Sequence, residues 1–157
     1  MDIKELDRYL RSLPDRILPE AAEIIAETAT EYYRETFRKK AFDGNPWAPA
    51  KVQKRTGSLL IDSGAMMNSI RASSVSPEKV VISAGNDKVE YARVHNEGYS
   101  GPVTVPAHTR HTRHGDVNVR KHTRNVSIPQ RQFLGDSKEL NDRIHDRLEK
   151  FIESLEI

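Results

Sequence analysis

A chain of 157 residues falls within the ~100–200 residues typical of one domain and is long enough to bury a core. With 36% hydrophobic and 31% charged residues and a formal net charge of +2, it predicts a modest core and segments that stay extended or need a partner. The lack of cysteine excludes disulfides and thiolate metal sites, no run approaches the ~18 apolar residues of a membrane span, and the mixed-charge start Met1-Asp2-Ile3-Lys4-Glu5 lacks a signal-peptide core, so a reducing cytoplasm is the simplest home.

Residues 2–13 read as a short helix with Ile3, Leu6, Leu10 and Leu13 on one side, interrupted by Pro14. A longer helix is expected from Pro19 to Phe42. Its apolar face holds Leu18, Ala21, Ala22, Ile25, Ala29 and Tyr32, and it stops at Gly44 and Pro46. Residues 45–56 read as a loop in which Trp47, the single tryptophan, is a structural anchor. A brief helix is expected over 63–69. Strands over 70–75 and 79–84 follow, joined by a Ser-Pro-Glu turn, with Val80, Ile82 and Ala84 alternating inward. Residues 89–96 read as a short helix stopped by Gly98.

The next segment echoes itself. Val103-Thr104-Val105-Pro106-Ala107-His108-Thr109-Arg110 returns fourteen residues later as Val117-Asn118-Val119-Arg120-Lys121-His122-Thr123-Arg124. With His114-Gly115-Asp116 as the turn, this predicts a long β-hairpin over about 101–128. Pro106 marks an edge, and so little apolar surface leaves the hairpin marginal without a partner. Phe133 and Leu134 then bring the chain back to the core. Asp136 and Glu139 suggest a capping box for a final helix whose apolar face is Leu140, Ile144, Leu148, Phe151 and Leu155.

Charge is concentrated in the same place. Residues 99–134 hold six basic side chains against the single acid Asp116, whereas the rest of the chain has 19 basic and 22 acidic residues. Arg110, Arg113, Arg120, Lys121 and Arg124 are therefore the candidate contacts for an anionic surface, either a neighbouring subunit or, without sequence preference, DNA. Aromatic residues are missing from the echoed arms, which argues against base stacking.

Chemistry is harder to place. His108, His111 and His114 are three residues apart, a spacing that sends strand side chains to opposite faces rather than around one metal. No Gly-x-Ser-x-Gly elbow and no glycine-rich phosphate loop occurs. His95-Asn96 hints at a nuclease but lacks the companion ligands. The residues point to no enzyme, no cofactor and no metal.

Four fragments in order carry a resemblance. They are Phe42-Asp43-Gly44-Asn45-Pro46-Trp47, then residues 60–70 with Asp62, Gly64 and Ser69, then Tyr91-Ala92-Arg93-Val94-His95-Asn96-Glu97-Gly98, and finally residues 128–135 with Pro129, Arg131, Phe133, Leu134 and Gly135. Together they resemble the phage virion morphogenesis family, which includes tail completion proteins and Mu-like prophage relatives. The resemblance implies one α+β domain over 1–157 that assembles with copies of itself or with neck and tail proteins. It implies no catalytic residue, and places the protein in the host cytoplasm during assembly or in the virion at the neck or tail end. Met66 stands where many members would use Leu, a volume-conserving change. The expected architecture is N-terminal helices, a small antiparallel sheet with a projecting hairpin, and a closing amphipathic helix.

Overall fold

The computed structural model describes residues 3–52, 56–87 and 89–155, with the side chains at 3, 6, 7, 9 and 10 outside that description. The fold is α+β. Helix α1 (Ile3–Lys39) is one element of 37 residues, about 55 Å long. Pro14 and Pro19 both lie inside it, so the expected break at Pro14 and the helix start at Pro19 are corrected. Each proline removes one backbone bond at a cost of about 3 kcal/mol. Both prolines are exposed, so water can satisfy the carbonyls they free. The face expected of Ile3, Leu6 and Leu10 lies outside the described side chains. From Ala22 onward α1 presents Ala26, Ala29, Tyr32, Tyr33 and Phe37 to the core.

The helix does not reach Phe42. It stops at Lys39, and Ala41–Phe42 (β1) pairs with Asn45–Pro46 (β2). Asp43 and Gly44 have φ of 49° and 78°, the left-handed pair required by a two-residue hairpin turn, for which Asp-Gly is a favoured sequence. Trp47 then packs edge-on against Phe37 at 5.4 Å and donates from Nε1 to the Gln132 carbonyl at 2.7 Å. It anchors the loop as expected. That expected loop also includes residues 53–55, which lie outside the described residues.

Helix α2 (Ala65–Asn68) follows, and β3 (Arg71–Ser76) and β4 (Lys79–Ser83) form an antiparallel pair with a bulge between Ala72 and Ser74. Of the expected inward set Val80, Ile82 and Ala84, Ile82 and Ala84 pack against the core, although residues 80–84 are all half-buried. This thin sheet lies against α1 on one side without a second layer to give it a clean inner face. Helix α3 (Ala92–Glu97) is shorter than expected and ends at Gly98, whose φ of 77° and ψ of 165° suit glycine alone.

Helix α4 (Lys138–Ser154) runs antiparallel to α1: Arg143 meets Glu35 at 2.6 Å and Arg147 meets Glu31 at 2.5 Å. Its cap is Ser137, not Asp136; the Ser137 side chain accepts from the Leu140 N–H. Tertiary contacts decide this. Ser137 Oγ also meets Tyr32 Oη at 2.8 Å and donates to Asp43 Oδ1 at 2.9 Å, while Asp43 accepts the Glu139 N–H at 3.0 Å. Only Leu140 of the expected apolar face is fully buried; Ile144, Leu148, Phe151 and Leu155 are half-exposed.

Candidate functional site

Two features stand out from the core: a two-stranded ribbon and a cleft at its base. The ribbon is built from β5 (Tyr99–Val105), β6 (His108–Thr112), β7 (Gly115–Val119) and β8 (His122–Ile128). Strand β5 pairs with β8 and β6 with β7 in one unbroken register, from Tyr99↔Ile128 to Thr112↔Gly115. Only Pro106–Ala107 and Arg120–Lys121 fall outside the ladders, where proline has no N–H to give. At ~3.3 Å per residue the ribbon is about 45 Å long. The tip is the two-residue loop Arg113–His114, so the turn expected at 114–116 moves toward the N-terminus by a residue.

The echoed octapeptides are each other's partners. Residues 103–110 lie opposite 117–124, from Val103↔Arg124 to Arg110↔Val117. The two repeats also share a local device: His108 Nδ1 lies 3.0 Å from the Pro106 carbonyl, and His122 Nδ1 lies 2.9 Å from the Arg120 carbonyl. A carbonyl can only accept, so each imidazole carries its proton on Nδ1. His111 Nδ1 contacts Asp116 at 2.6 Å across the strands. The three histidines at 108, 111 and 114 thus have separate surroundings.

Arg110, Arg113, Arg120, Lys121 and Arg124 are all exposed, and none makes an ion pair among the described residues. Antiparallel pairing puts Arg120 and Arg124 on one face and Arg110 and Lys121 on the other. Arg131, the sixth base of the segment, is different. It is 7% exposed, and its guanidinium donates to the Ala48 and Pro49 carbonyls at 2.9 and 3.0 Å.

The cleft is a cavity of about 740 Å³ at the ribbon's base. Asp62, Gly64, Tyr91, His95, Pro129 and Arg131, far apart in sequence, all line it. Tyr91 packs edge-on to His95 at 5.9 Å. Gly64 has φ of 77° and starts α2. The other residues that carry the resemblance lie elsewhere. Trp47 and Phe133 are in the core, and Ser69 is buried, accepting the Gly85 N–H at 2.8 Å. Gly44 is in the β1–β2 turn, Gly98 abuts Gln130, Leu134 packs against the core, and Gly135 accepts from Tyr33 Oη at 2.8 Å.

The base of the ribbon is fastened by Asn96, which the sequence offered only as half of a His-Asn pair. Asn96 Oδ1 accepts the N–H groups of Phe133 and Leu134 at 2.8 and 2.9 Å, and the His95 carbonyl accepts the Arg131 N–H at 2.8 Å. Asp43 is a second such hub. Its carboxyl lies below the ordinary 3.8, held there by the Glu139 N–H and the Ser137 hydroxyl. Glu35 feels burial pushing its carboxyl up, but the bond and charge of Arg143, with Lys39, outweigh this and lower it. These shifts belong to structural contacts between elements, away from the ribbon and the cleft. His145, Asp146 and Glu149 come within 4.8 Å of one another on α4, fully exposed, as solvated helix faces commonly do.

The model of the phage virion morphogenesis family covers residues 1–153. The chain belongs to the phage virion morphogenesis family. That family is structural, and its members serve the building of the virion. No curated protein and no solved structure gives a match. None of the described helices is long and apolar enough to cross a membrane.

Proposed function

We propose that this member of the family is a non-enzymatic part that completes the tail, or the head–tail junction, of a tailed phage or prophage particle. It does so by assembling with copies of itself and with neck or tail proteins. The observation that carries the reading is the ribbon: about 45 Å of exposed two-stranded sheet bearing five cations that make no ion pair among the described residues. Such a ribbon is marginal alone and gains rigidity when a partner covers it.

The test is complementation of a host whose prophage lacks this gene. Wild-type protein should restore infectious particles. A variant with Arg110, Arg113, Arg120, Lys121 and Arg124 all changed to serine should leave filled heads and tails unjoined, or tails with abnormal ends, in electron micrographs. Normal particles from that variant would sink the reading. A second reading rests on the same five side chains, namely sequence-independent binding of duplex DNA. It requires affinity that falls steeply with salt.

A further inference from the structure

We propose, resting on the assembly reading above, that the basic ribbon of one copy docks on the acidic face of α1 in the next copy. Helix α1 carries Glu20, Glu23, Glu27 and Glu31 at helical spacing, so they form one stripe. The stripe borders a groove of about 560 Å³ that also takes in Ile24, Ala26, Thr30 and, from β3, Ala72, with one cation, Arg34, whose guanidinium donates to the Ile70 carbonyl at 2.7 Å. Glu20, Glu23 and Glu27 are exposed and make no ion pair among the described residues; Glu31 is engaged by Arg147. The chain thus carries a row of unpaired anions on one element and a row of unpaired cations on another, and does not bring them together itself.

The dimensions agree. Along a helix Glu20 to Glu31 spans about 16 Å. Along a strand Arg120 and Arg124, on one ribbon face, are about 13 Å apart. The groove includes the apolar Ile24 and Ala26, and the ribbon offers Val103, 37% exposed, on the same face as Arg120 and Arg124. The free outer edge of β3 lies beside the groove, so a ribbon seated there meets backbone as well as side chains. Because the two surfaces differ, the contact is heterologous, and repeating it builds a ring where the rotation closes and a filament where it does not.

The experiment is sedimentation velocity of the full chain over a concentration series, at about 50 mM and about 1 M salt. Four proteins are compared: wild type, Arg120→Glu/Arg124→Glu, Glu23→Lys/Glu27→Lys, and the fourfold combination. Wild type should associate, with an association constant that falls at least ~10-fold at high salt. Either double reversal should weaken association by at least ~10-fold, and the fourfold variant should recover most of it. Neutral pairs (Arg120→Ser/Arg124→Ser and Glu23→Gln/Glu27→Gln) should weaken it less and guard against a misfolded variant. A monomeric wild type, full association of the Glu23/Glu27 variant, or no recovery in the fourfold variant overturns the docking. If the Glu23/Glu27 variant completes particles while the Arg120/Arg124 variant does not, docking on α1 is wrong but the assembly reading stands. If both complete particles, the assembly role of the ribbon falls as well. If wild type binds random duplex DNA, the Arg120/Arg124 variant does not, and the Glu23/Glu27 variant still associates, then DNA is the occupant.

Discussion

Asn96→Ala should destabilise the protein more than a half-buried polar residue normally does. Asn96 Oδ1 accepts two backbone N–H groups, those of Phe133 and Leu134, and Phe133 is fully buried. Alanine leaves both part-buried donors without their partner. An unsatisfied buried donor costs about 1–3 kcal/mol, and Leu134 is only partly buried, so the loss should be about 2–3 kcal/mol. That is a large share of the ~5–15 kcal/mol that keeps a domain folded. Asn96→Asp keeps the accepting oxygens and should fall within about 1 kcal/mol of wild type. The assay is urea unfolding followed by the fluorescence of Trp47, whose indole donates to Gln132 beside this joint. The reasoning fails if alanine leaves the midpoint unchanged, or if aspartate is as damaging as alanine. A changed slope would point instead to an altered unfolded state.

Asp43 should give the fold an acid-sensitive contact. Its folded pKa is depressed, so its contribution is full above the unfolded value near 3.8 and is lost as pH falls through the lower folded value. Below that range Asp43→Asn and wild type should converge in thermal midpoint; at neutral pH wild type should be the more stable, and equal midpoints across all pH would refute the assignment. Gly98→Ala should cost at least about 1 kcal/mol. A Cβ at this φ is strained and would sit 3.0 Å from the Gln130 nitrogen; an unchanged urea midpoint would show that the chain there relaxes freely.

Periodicity within one element was legible in the sequence, and choices made between elements were not. The hairpin was readable because its signal is local: two echoed arms, few apolar residues and a proline at the edge. The joint at Asn96 was hidden because its donors lie 37 and 38 positions downstream. Ser137 won the cap from Asp136 through Tyr32 and Asp43, each about a hundred residues away. Proline's cost at position 14 was a sound local argument, but it was overridden by the cooperativity of a long helix anchored from Ala22 onward. The β1–β2 turn was within reach, since Asp43-Gly44 is a strong hairpin pair; the helical pattern running up to it obscured the signal. The cleft assembles residues from three separated stretches, which no pattern along the chain can place together.

The ribbon is also a lever. Its tip lies about 45 Å from its root, and the root is held by a few bonds close together: Asn96 to Phe133 and Leu134, His95 to Arg131, and Arg131 to the Ala48 and Pro49 carbonyls. A modest sideways pull at Arg113 therefore becomes a large torque on that small clamp. The clamp joins α3 to the loop after β2, and it rests on α1 through Phe37, which packs on Trp47 and Phe133. Load applied to the arm is thus felt first at the joint, and passes from there to α1 through Phe133 against Phe37.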